Sequence, residues 1–557
     1  MRSIVVFVAL CGLAVAYVPS SFRSQSTAGL WTDDYDLLFE PARIPLIKGD
    51  RVYTALSNLV TGTEQQFRNT TTDFFLIGGS TSLTAPIYPG LLFDRYASRV
   101  PLATGLTNSD GDDLLGEGRV FHNELLDLDS NGTYDYKRED ITSAKAWDEN
   151  ETTDGYLGVG FKTGGLRLGA AFAPSIYSSR SVDPARNYTY DRRDSSLVAG
   201  MLTYRETDTF TGFDHSRQAD NSIIVNGWYD FSTEKGDTSE TTLRVGLLGS
   251  FAPLANDVGH ENSGVSYIDR SPANPAIVDF SREQMFDTSD IPYAGNRMGA
   301  MASVFYLPKP EIESRFYVRA YRQSLAAGDA AGGLEASQVD STCRPGTATG
   351  YDTTLHKYRG QQQRQGFSVS TKQLFTVTPR FRLGLGLGFA TDAWQDSLED
   401  STAQRSYYAF DNGDSVPGHE DYQTTTTFAE ERLTRVTGTD RVLTAPVGIE
   451  VKVVEPLALR LGASPTMTWR DETTVEELTA SSPRYTHTVY GDGTFSDQLG
   501  DAQQYPGSSE TRKTVSYSTD LTYGLGYSPM ENLQIDLMAF ARVTDLRYWR
   551  LSVTLKF

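Results

Sequence analysis

The most site-like stretch of the sequence is a run of oxygen-bearing side chains near residue 130. Oxygen ligands alternate along it at Asp127, Asp129, Asn131 and Asp135. Gly132 stands where a calcium-binding loop turns sharply, although the position that normally supplies a bidentate Glu holds an arginine. Clusters of Asp, Asn and Gly are also typical of plain turns. The pattern makes Ca²⁺ a candidate ligand of these four residues, with a metal-free turn as the alternative.

A second set of ionisable residues lies on the polar side of alternating segments toward the C-terminus. They are Arg382, Glu450, Lys452, Arg460, Asp536, Arg542 and Arg550. If these segments are strands, their polar side chains share one face of the sheet because successive side chains alternate. Such residues could line a pore and set its field, or pair across strands and hold an N-terminal plug. Both interpretations stay open at this point.

Catalytic constellations are weakly represented. The six histidines are scattered, and in Asp214-His215-Ser216 sequence neighbours on a strand would point to opposite faces. The sequence contains no phosphate-binding loop, dinucleotide fingerprint or zinc spacing of His and Cys. We therefore predict that the chain is not an enzyme and has no certain cofactor.

Composition excludes two broad classes of protein. The chain has 557 residues, with Asp+Glu 71 against Lys+Arg 50, a net charge of -21 and a mean hydropathy of -0.38. A polytopic helical membrane protein needs repeated apolar runs of about 20 residues, which this composition does not supply. Nucleic-acid binding needs a concentrated positive surface, so no nucleic-acid partner is expected.

The elements that must position the charged residues are strands. The C-terminal residues alternate strictly, with Trp549, Leu551, Val553, Leu555 and Phe557 on one face and polar residues between them. The same alternation recurs in many upstream segments and predicts about 14 strands, within a range of 14–16. Several segments approach the ~9–11 residues that a tilted transmembrane strand needs.

Connection lengths give the second indication of architecture. Some connections are very short, near 308–310, 378–379, 454–456 and 528–530, whereas others are long, at 253–296, 324–362, 394–440 and 471–510. Short turns at one rim and long loops at the other are typical of outer-membrane barrels, and closure leaves no strand edge unpaired in lipid. We predict an all-β fold, a transmembrane antiparallel β-barrel with a short N-terminal plug. A soluble β-sandwich is the alternative.

The chain divides into three predicted parts. Residues 1–16 have one Arg, an apolar run and small residues before the cleavage position, which is typical of a signal peptide. Residues 17–67 are too polar for a membrane segment and form the predicted plug or periplasmic segment. Residues 68–557 form the predicted outer-membrane β-barrel with long extracellular loops.

Two segments resemble known outer-membrane proteins. The terminal strand ending in Phe557 resembles the C-terminal assembly signal of bacterial outer-membrane β-barrels. Near the N-terminus, the acidic segment that leads into Glu40, Pro41 and Ala42 resembles the one ending in Asn-Pro-Ala in the long-chain fatty-acid transporter family. The resemblance implies about fourteen strands, an N-terminal plug and a C-terminal Phe.

These observations together predict the function and location of the chain. We expect a channel or transporter in the bacterial outer membrane for passive uptake of small hydrophobic or amphipathic compounds. Its expected partners are outer-membrane lipid, the barrel-assembly machinery, and either a small hydrophobic solute or a protein. The alternative is a non-transporting barrel that acts through its loops as a secretion accessory protein or adhesin.

Overall fold

A computed structural model describes most of the chain. The described residues are 21–57, 73–82, 86–108, 110–127, 130, 132–232, 242–270, 272, 279–343, 346–505, 507–540 and 549–557. The predicted signal peptide at 1–16 lies outside them. No helix of these residues is long and apolar enough to cross a membrane.

Two short α-helices and a 3-10 helix precede the sheet. They are α1 (Phe22–Ser26), α2 (Asp34–Leu38) and the 3-10 helix Pro41–Leu46. Ser21 caps α1, since its hydroxyl accepts from the Ser24 N–H (3.0 Å). Asp33 caps α2 through a capping box, in which Asp36 Oδ2 accepts from the Asp33 N–H (2.8 Å).

The rest of the described chain is almost entirely strand. The strands are β1 (Arg51–Ser57), β2 (Asp73–Ser80), β3 (Ile87–Pro101), β4 (Ala103–Thr107), β5 (Asp113–Leu115), β6 (Glu117–Leu126), β7 (Tyr136–Lys145), β8 (Trp147–Thr163), β9 (Leu166–Val182), β10 (Tyr188–Ser196), β11 (Met201–Ser232), β12 (Thr242–Asp269), β13 (Asp279–Lys309), β14 (Ile312–Ala327), β15 (Gly332–Cys343), β16 (Gly346–Thr378), β17 (Phe381–Asp411), β18 (Tyr422–Thr444), β19 (Val447–Val454), β20 (Leu457–Ser481), β21 (Pro483–Tyr490), β22 (Phe495–Ala502), β23 (Ser508–Met530), β24 (Leu533–Phe540) and β25 (Trp549–Lys556). A second 3-10 helix, Pro184–Arg186, joins β9 to β10.

One large antiparallel sheet closes into a ring. Strand β1 pairs on one side with β2 and on the other with β25, so the first and last strands are neighbours. Between them the pairing runs through β3, β8, β9, β11, β12, β13, β14, β16, β17, β18 with β19, β20, β23 and β24. Strands β6, β7 and β10 extend the sheet beside the first part of β11. The prediction of an all-β, antiparallel fold is confirmed.

The prediction of long loops is wrong, because most of the residues assigned to them form strands. Residues 253–296 belong largely to β12 and β13, and 394–440 largely to β17 and β18. The connection 324–362 contains β15, and 471–510 contains β21 and β22. Their sequences are mostly polar, so they lack the regular apolar face that marked the other strands. The paired strands continue the ring well beyond its apolar part. We call this continuation, which contains most of 253–296, 324–362, 394–440 and 471–510, the extension.

The lower part of the ring, next to the two-residue turns at 164–165, 310–311, 379–380 and 455–456, has an apolar outer face. On β12 the outward residues from Leu243 to Phe251 are apolar or Gly, and Leu247 is 65% exposed. Val225 on β11 and Leu385 on β17 are likewise exposed. We call this outward surface the belt. The inner face at the same height carries buried polar residues such as Asn226 and Arg460.

Residues 21–47, here the N-terminal segment, occupy the interior of the ring at the height of the belt. The segment contacts strands around the circumference, and glycines on their inner faces leave room for it. These are Gly90, Gly160, Gly169, Gly384, Gly448, Gly462 and Gly524. A Cβ on Gly90 would lie 2.8 Å from Leu38 Cδ2, and one on Gly384 would lie 3.0 Å from Leu30 Cδ1. The close approach buries Leu30, Leu38 and Ile44 almost completely.

Candidate functional site inside the ring

An ionic network joins the N-terminal segment to four strands, β17, β19, β20 and β24. Glu450 on β19 accepts from Arg23 through both carboxylate oxygens (2.8 Å each) and from Arg382 Nη1 (3.0 Å). Arg460 Nε donates to Glu450 Oε2 (3.0 Å), and Arg460 Nη1 donates to Asp536 Oδ1 (2.5 Å). Four of the predicted lumen-facing residues therefore meet in one cluster.

Antiparallel register explains this convergence. Arg382 pairs with Glu450 across β17 and β19, and Glu450 pairs with Arg460 across β19 and β20. Gly526 on β23 stands opposite Asp536 on β24 and opposite Ala458 on β20, two residues from Arg460. A Cβ there would collide with the Arg460 guanidinium, so the missing side chain lets Arg460 reach Asp536. Buried charges of this kind are stable only when they are paired and hydrogen-bonded.

The Glu-Pro-Ala motif contacts the opposite side of the ring. The Ala42 N–H donates to Asn226 Oδ1 (2.7 Å), and Trp228 Nε1 donates to Glu40 Oε2 (3.1 Å), both on β11. Glu40 also pairs with Arg43, 3.0 Å away, whose guanidinium lies over the Trp228 and Phe305 rings. The motif residues therefore bind the segment to the wall.

Two acidic residues at the start of α2, Asp33 and Asp36, lie along the segment between these two anchors. Asp36 accepts hydrogen bonds from the Ser21 backbone N–H (2.7 Å) and the Ser21 hydroxyl (2.6 Å). Burial, and then the neighbouring Asp36 carboxylate, raise the pKa of Asp33 well above its ordinary value. Burial also raises the pKa of Asp36.

A cavity of about 550 Å³ lies between the N-terminal segment and the wall. Its lining is rich in cations, including Arg23, Arg315 and Arg382, and also contains the rings of Tyr35 and Phe305. Residues Glu455 and Pro456 of a two-residue turn line it as well, so the cavity lies toward the short-turn end. Carboxylates such as Glu313 and Glu450 also line it and pair with these arginines, so its surface combines paired charges with aromatic rings.

The other predicted residues fall in different places. Lys452 lines the cavity, whereas Arg550 lies near the Tyr96 ring, 5.9 Å from its centroid. Arg542 lies outside the described residues. The Phe557 N–H donates to Asp50 O (3.0 Å), which completes the ring closure, and its role as an assembly signal stays a prediction.

Two of the four predicted calcium ligands, Asp127 and Asp135, lie among the described residues. Asp127 Oδ2 accepts from the Gly132 N–H (2.8 Å), a bond that closes a turn, and the Asp135 N–H donates to Leu126 O (2.8 Å). Asp129 and Asn131 lie outside the described residues. Calcium binding at this loop stays a prediction.

Three cationic residues of the interior were not predicted from the sequence. Arg23 is the partner that ties the N-terminal segment to Glu450, and Arg315 and Lys372 reach the same interior from β14 and β16. Lys372 and Arg315 could have been found, because each is a charge on the inward phase of an alternating strand. Arg23 carries no such signal.

A Ser–His–Asp arrangement in the extension was also missed. Ser289 Oγ lies 2.8 Å from His260 Nδ1, and His260 Nε2 lies 2.7 Å from Asp287 Oδ1. Acyl transfer also needs backbone donors for an oxyanion. Ser289 is paired in register with His260 on one side and with Gly333 on the other. The backbone at Ser289 therefore takes part in sheet pairing with two neighbouring strands.

A scan against protein-family models and a search of curated proteins found no match. Among solved structures, the chain is similar to the toluene transporter TbuX of Ralstonia pickettii, at 9% identity and a TM-score of 0.28 over 98% of this chain and 100% of that one. It is also similar to the ferric enterobactin receptor of Pseudomonas aeruginosa (9%, TM-score 0.24, 91% and 80%). A third is the ferripyoverdine receptor of the outer membrane of the same species (7%, 0.25, 92% and 72%). TM-scores this low do not establish a shared function.

Proposed function

We propose that this chain is a bacterial outer-membrane β-barrel that admits small hydrophobic or amphipathic compounds passively through its interior. The observation that carries the proposal is the belt of exposed apolar side chains on the outer face of a closed sheet. Soluble proteins rarely expose contiguous apolar surface of this extent, whereas lipid-facing strands require it. A closed ring also pairs every strand edge, as hydrocarbon demands.

The height of the belt suits a bilayer. On β11 the outward apolar positions run from Ile223 to Phe231, and on β12 from Leu243 to Phe251. Each stretch is close to the ~9–11 residues that a tilted strand needs to cross the hydrocarbon. The two-residue turns then correspond to the periplasmic rim, and the extension stands outside the cell.

In this proposal the N-terminal segment is a plug. It fills the interior at the height of the belt and is held by Arg23 on one side and by Glu40 and Ala42 on the other. Passage of a solute therefore requires the segment to shift. The cavity beside it, with arginines next to Tyr35 and Phe305, supports an amphipathic solute with an anionic group.

Liposome uptake tests the proposal directly. Residues 17–557 are reconstituted, and entry of a fatty acid and of glucose is recorded side by side against empty liposomes. We expect fatty-acid uptake without glucose flux, because the plugged interior leaves no open water-filled pore. Equal flux of both solutes would indicate a general porin, and flux of neither would contradict the transport proposal.

A reversible cross-link tests the plug. A Cβ on Gly384 would lie 3.2 Å from Leu30 Cβ, close to the ~3.8 Å of a disulfide. The variant Leu30→Cys/Gly384→Cys, in a Cys343→Ser background, should therefore cross-link the segment to β17. We expect oxidation to stop uptake and reduction to restore it, with each single-cysteine variant as the control. Undiminished uptake by the oxidised protein would rule out gating by this segment.

The extension favours a second candidate function. Strand β16 has 33 residues, which at about 3.3 Å per residue is roughly 110 Å of chain, far more than a bilayer crossing requires. A projecting, polar, rigid surface suits an adhesin or a secretion accessory protein. Absence of solute flux together with a purified protein partner that binds the extension would favour this function.

A further inference from the structure

Three metal-ligating side chains meet on the outer face of the extension. His215 on β11, Asp257 on β12 and Asp290 on β13 each present a ligand atom, and these atoms all lie within 4.8 Å of one another. They share the outward phase of Val225, Leu247 and the belt residues of β13, but lie several rows above the belt. The cluster is separate from the interior network and from the predicted calcium loop.

Sheet register builds the cluster. His215 stands opposite Gly259 on β12, and Gly259 stands opposite Asp290 on β13, so the three form one row. A Cβ on Gly259 would lie 2.8 Å from His215 Cε1, so the glycine leaves space for the imidazole over β12. Asp257 lies two residues along β12 on the same face.

Two polar atoms of the cluster lack a hydrogen-bond partner. His215 Nδ1 and Asp257 Oδ1 are buried from solvent, and neither has a hydrogen-bond partner in the described part of the chain. Buried polar atoms without partners are costly and are uncommon in native proteins. The carboxyl groups of Asp257 and Asp290 lie within hydrogen-bond reach of each other, where two negative charges repel unless a proton or cation joins them.

The surrounding charges leave room for a cation. Arg217 stands opposite Asp257, and Arg180 stands opposite His215, but the Arg180 guanidinium is placed over the Phe213 ring at 4.0 Å. Glu261 follows on the same face of β12 and adds negative charge. Arg217 therefore stands beside the cluster and would compete with a metal for Asp257.

We propose that His215, Asp257 and Asp290 bind a divalent transition-metal ion, with Zn²⁺ as the best match. An imidazole ligand favours Zn²⁺ over Ca²⁺ and Mg²⁺, which prefer oxygen alone. Three protein ligands plus water is a common zinc coordination. The ion would join three adjacent strands and stabilise the extension, whether or not the chain transports a solute.

Zinc titration tests this proposal. The full chain from residue 17, without a polyhistidine tag and stripped with a chelator, is titrated with ZnCl₂ against a chromogenic zinc indicator. We expect one tight equivalent, lost in His215→Ala and weakened at least about tenfold in Asp290→Asn. The matched control is His487→Ala, which removes an exposed histidine that bonds Asp497 Oδ1 (2.6 Å).

Retention of the tight equivalent in His215→Ala, or its displacement by equimolar Ca²⁺, would overturn the proposal. Loss of it in His487→Ala would also do so. Co²⁺ gives an independent readout, because its visible absorption reports the coordination number and geometry of the bound ion. We expect the bands in the unaltered chain and in His487→Ala, but not in His215→Ala. Far-ultraviolet circular dichroism confirms that the variants compared are folded.

Discussion

The lower ring and the extension are continuous strands with opposite environments. On β12 the outward residues from Leu243 to Phe251 are apolar or Gly, whereas farther along the same face stand Asp257, Glu261 and Ser263. Inside, the lower ring holds the charged network around Glu450, but the extension holds an apolar cluster that includes Leu254 and Tyr293. One strand can therefore exchange the polarity of its two faces along its length, because the surroundings change while the pleat does not.

The difference shows what each region depends on. In the lower ring, buried ion pairs and close glycine contacts fix the N-terminal segment. In the extension, cross-strand pairs of small polar residues recur, such as Thr424 with Thr488 (3.1 Å) and Thr426 with Thr486 (3.2 Å). Such pairs contribute only about 0.2–1 kcal/mol each. Substitutions should therefore destabilise the protein far more in the lower ring than in the extension.

The largest effect is expected at Glu450. Glu450→Gln removes the carboxylate that three arginines share, and uncompensated buried charge typically costs about 3–5 kcal/mol. Urea unfolding in detergent micelles measures the change in free energy. The control is Asp191→Asn, which breaks an exposed pair with Arg193 and should cost about 1 kcal/mol or less. Equal losses in both variants would contradict the contrast between the regions.

A matched pair of substitutions on one face of β12 sharpens the comparison. Leu247→Arg places a charge in the belt, and if the belt faces lipid as proposed, the Arg costs about 2–4 kcal/mol near the midplane. Val265→Arg places it on the same face in the extension, where the cost should stay within about 0.5 kcal/mol. Unfolding free energies in a lipid bilayer provide the measurement. If Val265→Arg were the more damaging change, the belt would not face lipid.

Two glycines test the fit of the N-terminal segment. A Cβ on Gly169 would collide with the backbone of Pro41 and Ala42, whereas one on Gly249 has no atom within 4 Å. Gly169→Ala should cost about 1–3 kcal/mol through overpacking. Gly249→Ala should be neutral or slightly stabilising. Thermal unfolding separates them, and identical midpoints would show that the segment does not press against β9.

The smallest effect is expected from pH acting on α2. Because burial and Asp36 raise the pKa of Asp33, the docked segment holds its proton more tightly than a released segment, whose Asp has a pKa of about 3.9. Docking is therefore strongest at low pH and weakens as pH rises through the raised pKa. If the chain forms the proposed channel, its opening in planar bilayers should become more frequent as pH rises.

Asp33→Asn is the matched variant for that measurement, since Asn caps helices as well as Asp does. Its opening should depend on pH less than that of the unaltered chain, because only Asp36 of the two carboxyl groups still has a raised pKa. Pronounced pH dependence in Asp33→Asn would assign the effect to another group.

Much of the fold could be predicted from alternation alone. Segments such as 381–389, 457–469 and 549–557 have one apolar and one polar face, and each is a strand in the structure. The extension could not be recognised this way, because Thr424 to Thr427 and their partners are polar on both faces. The inward phase of Arg382, Glu450, Arg460 and Asp536 was predictable for the same reason as the strands.

Partners across the ring were not predictable. Arg23 and Glu450 are separated by 427 positions in the sequence, and nothing local to either one indicates the pair. The same holds for His215 and Asp290, whose meeting depends on the register of three strands and on the empty space at Gly259. The alternation predicts the face of the sheet on which each residue lies, but it does not predict which residues are its neighbours.

Closure of the ring by the pairing of β1 with β25 has a consequence for how the chain folds. Arg51 pairs with Lys556, so this contact has nearly the largest sequence separation the chain allows. Contacts between distant residues form slowly, since a long loop must close before they contribute. Adjacent strands such as β16 and β17 can pair early across a two-residue turn, but the edges of β1 and β24 stay open until β25 arrives. A chain that ends before β25 would expose two strand edges, which are the usual starting points of aggregation.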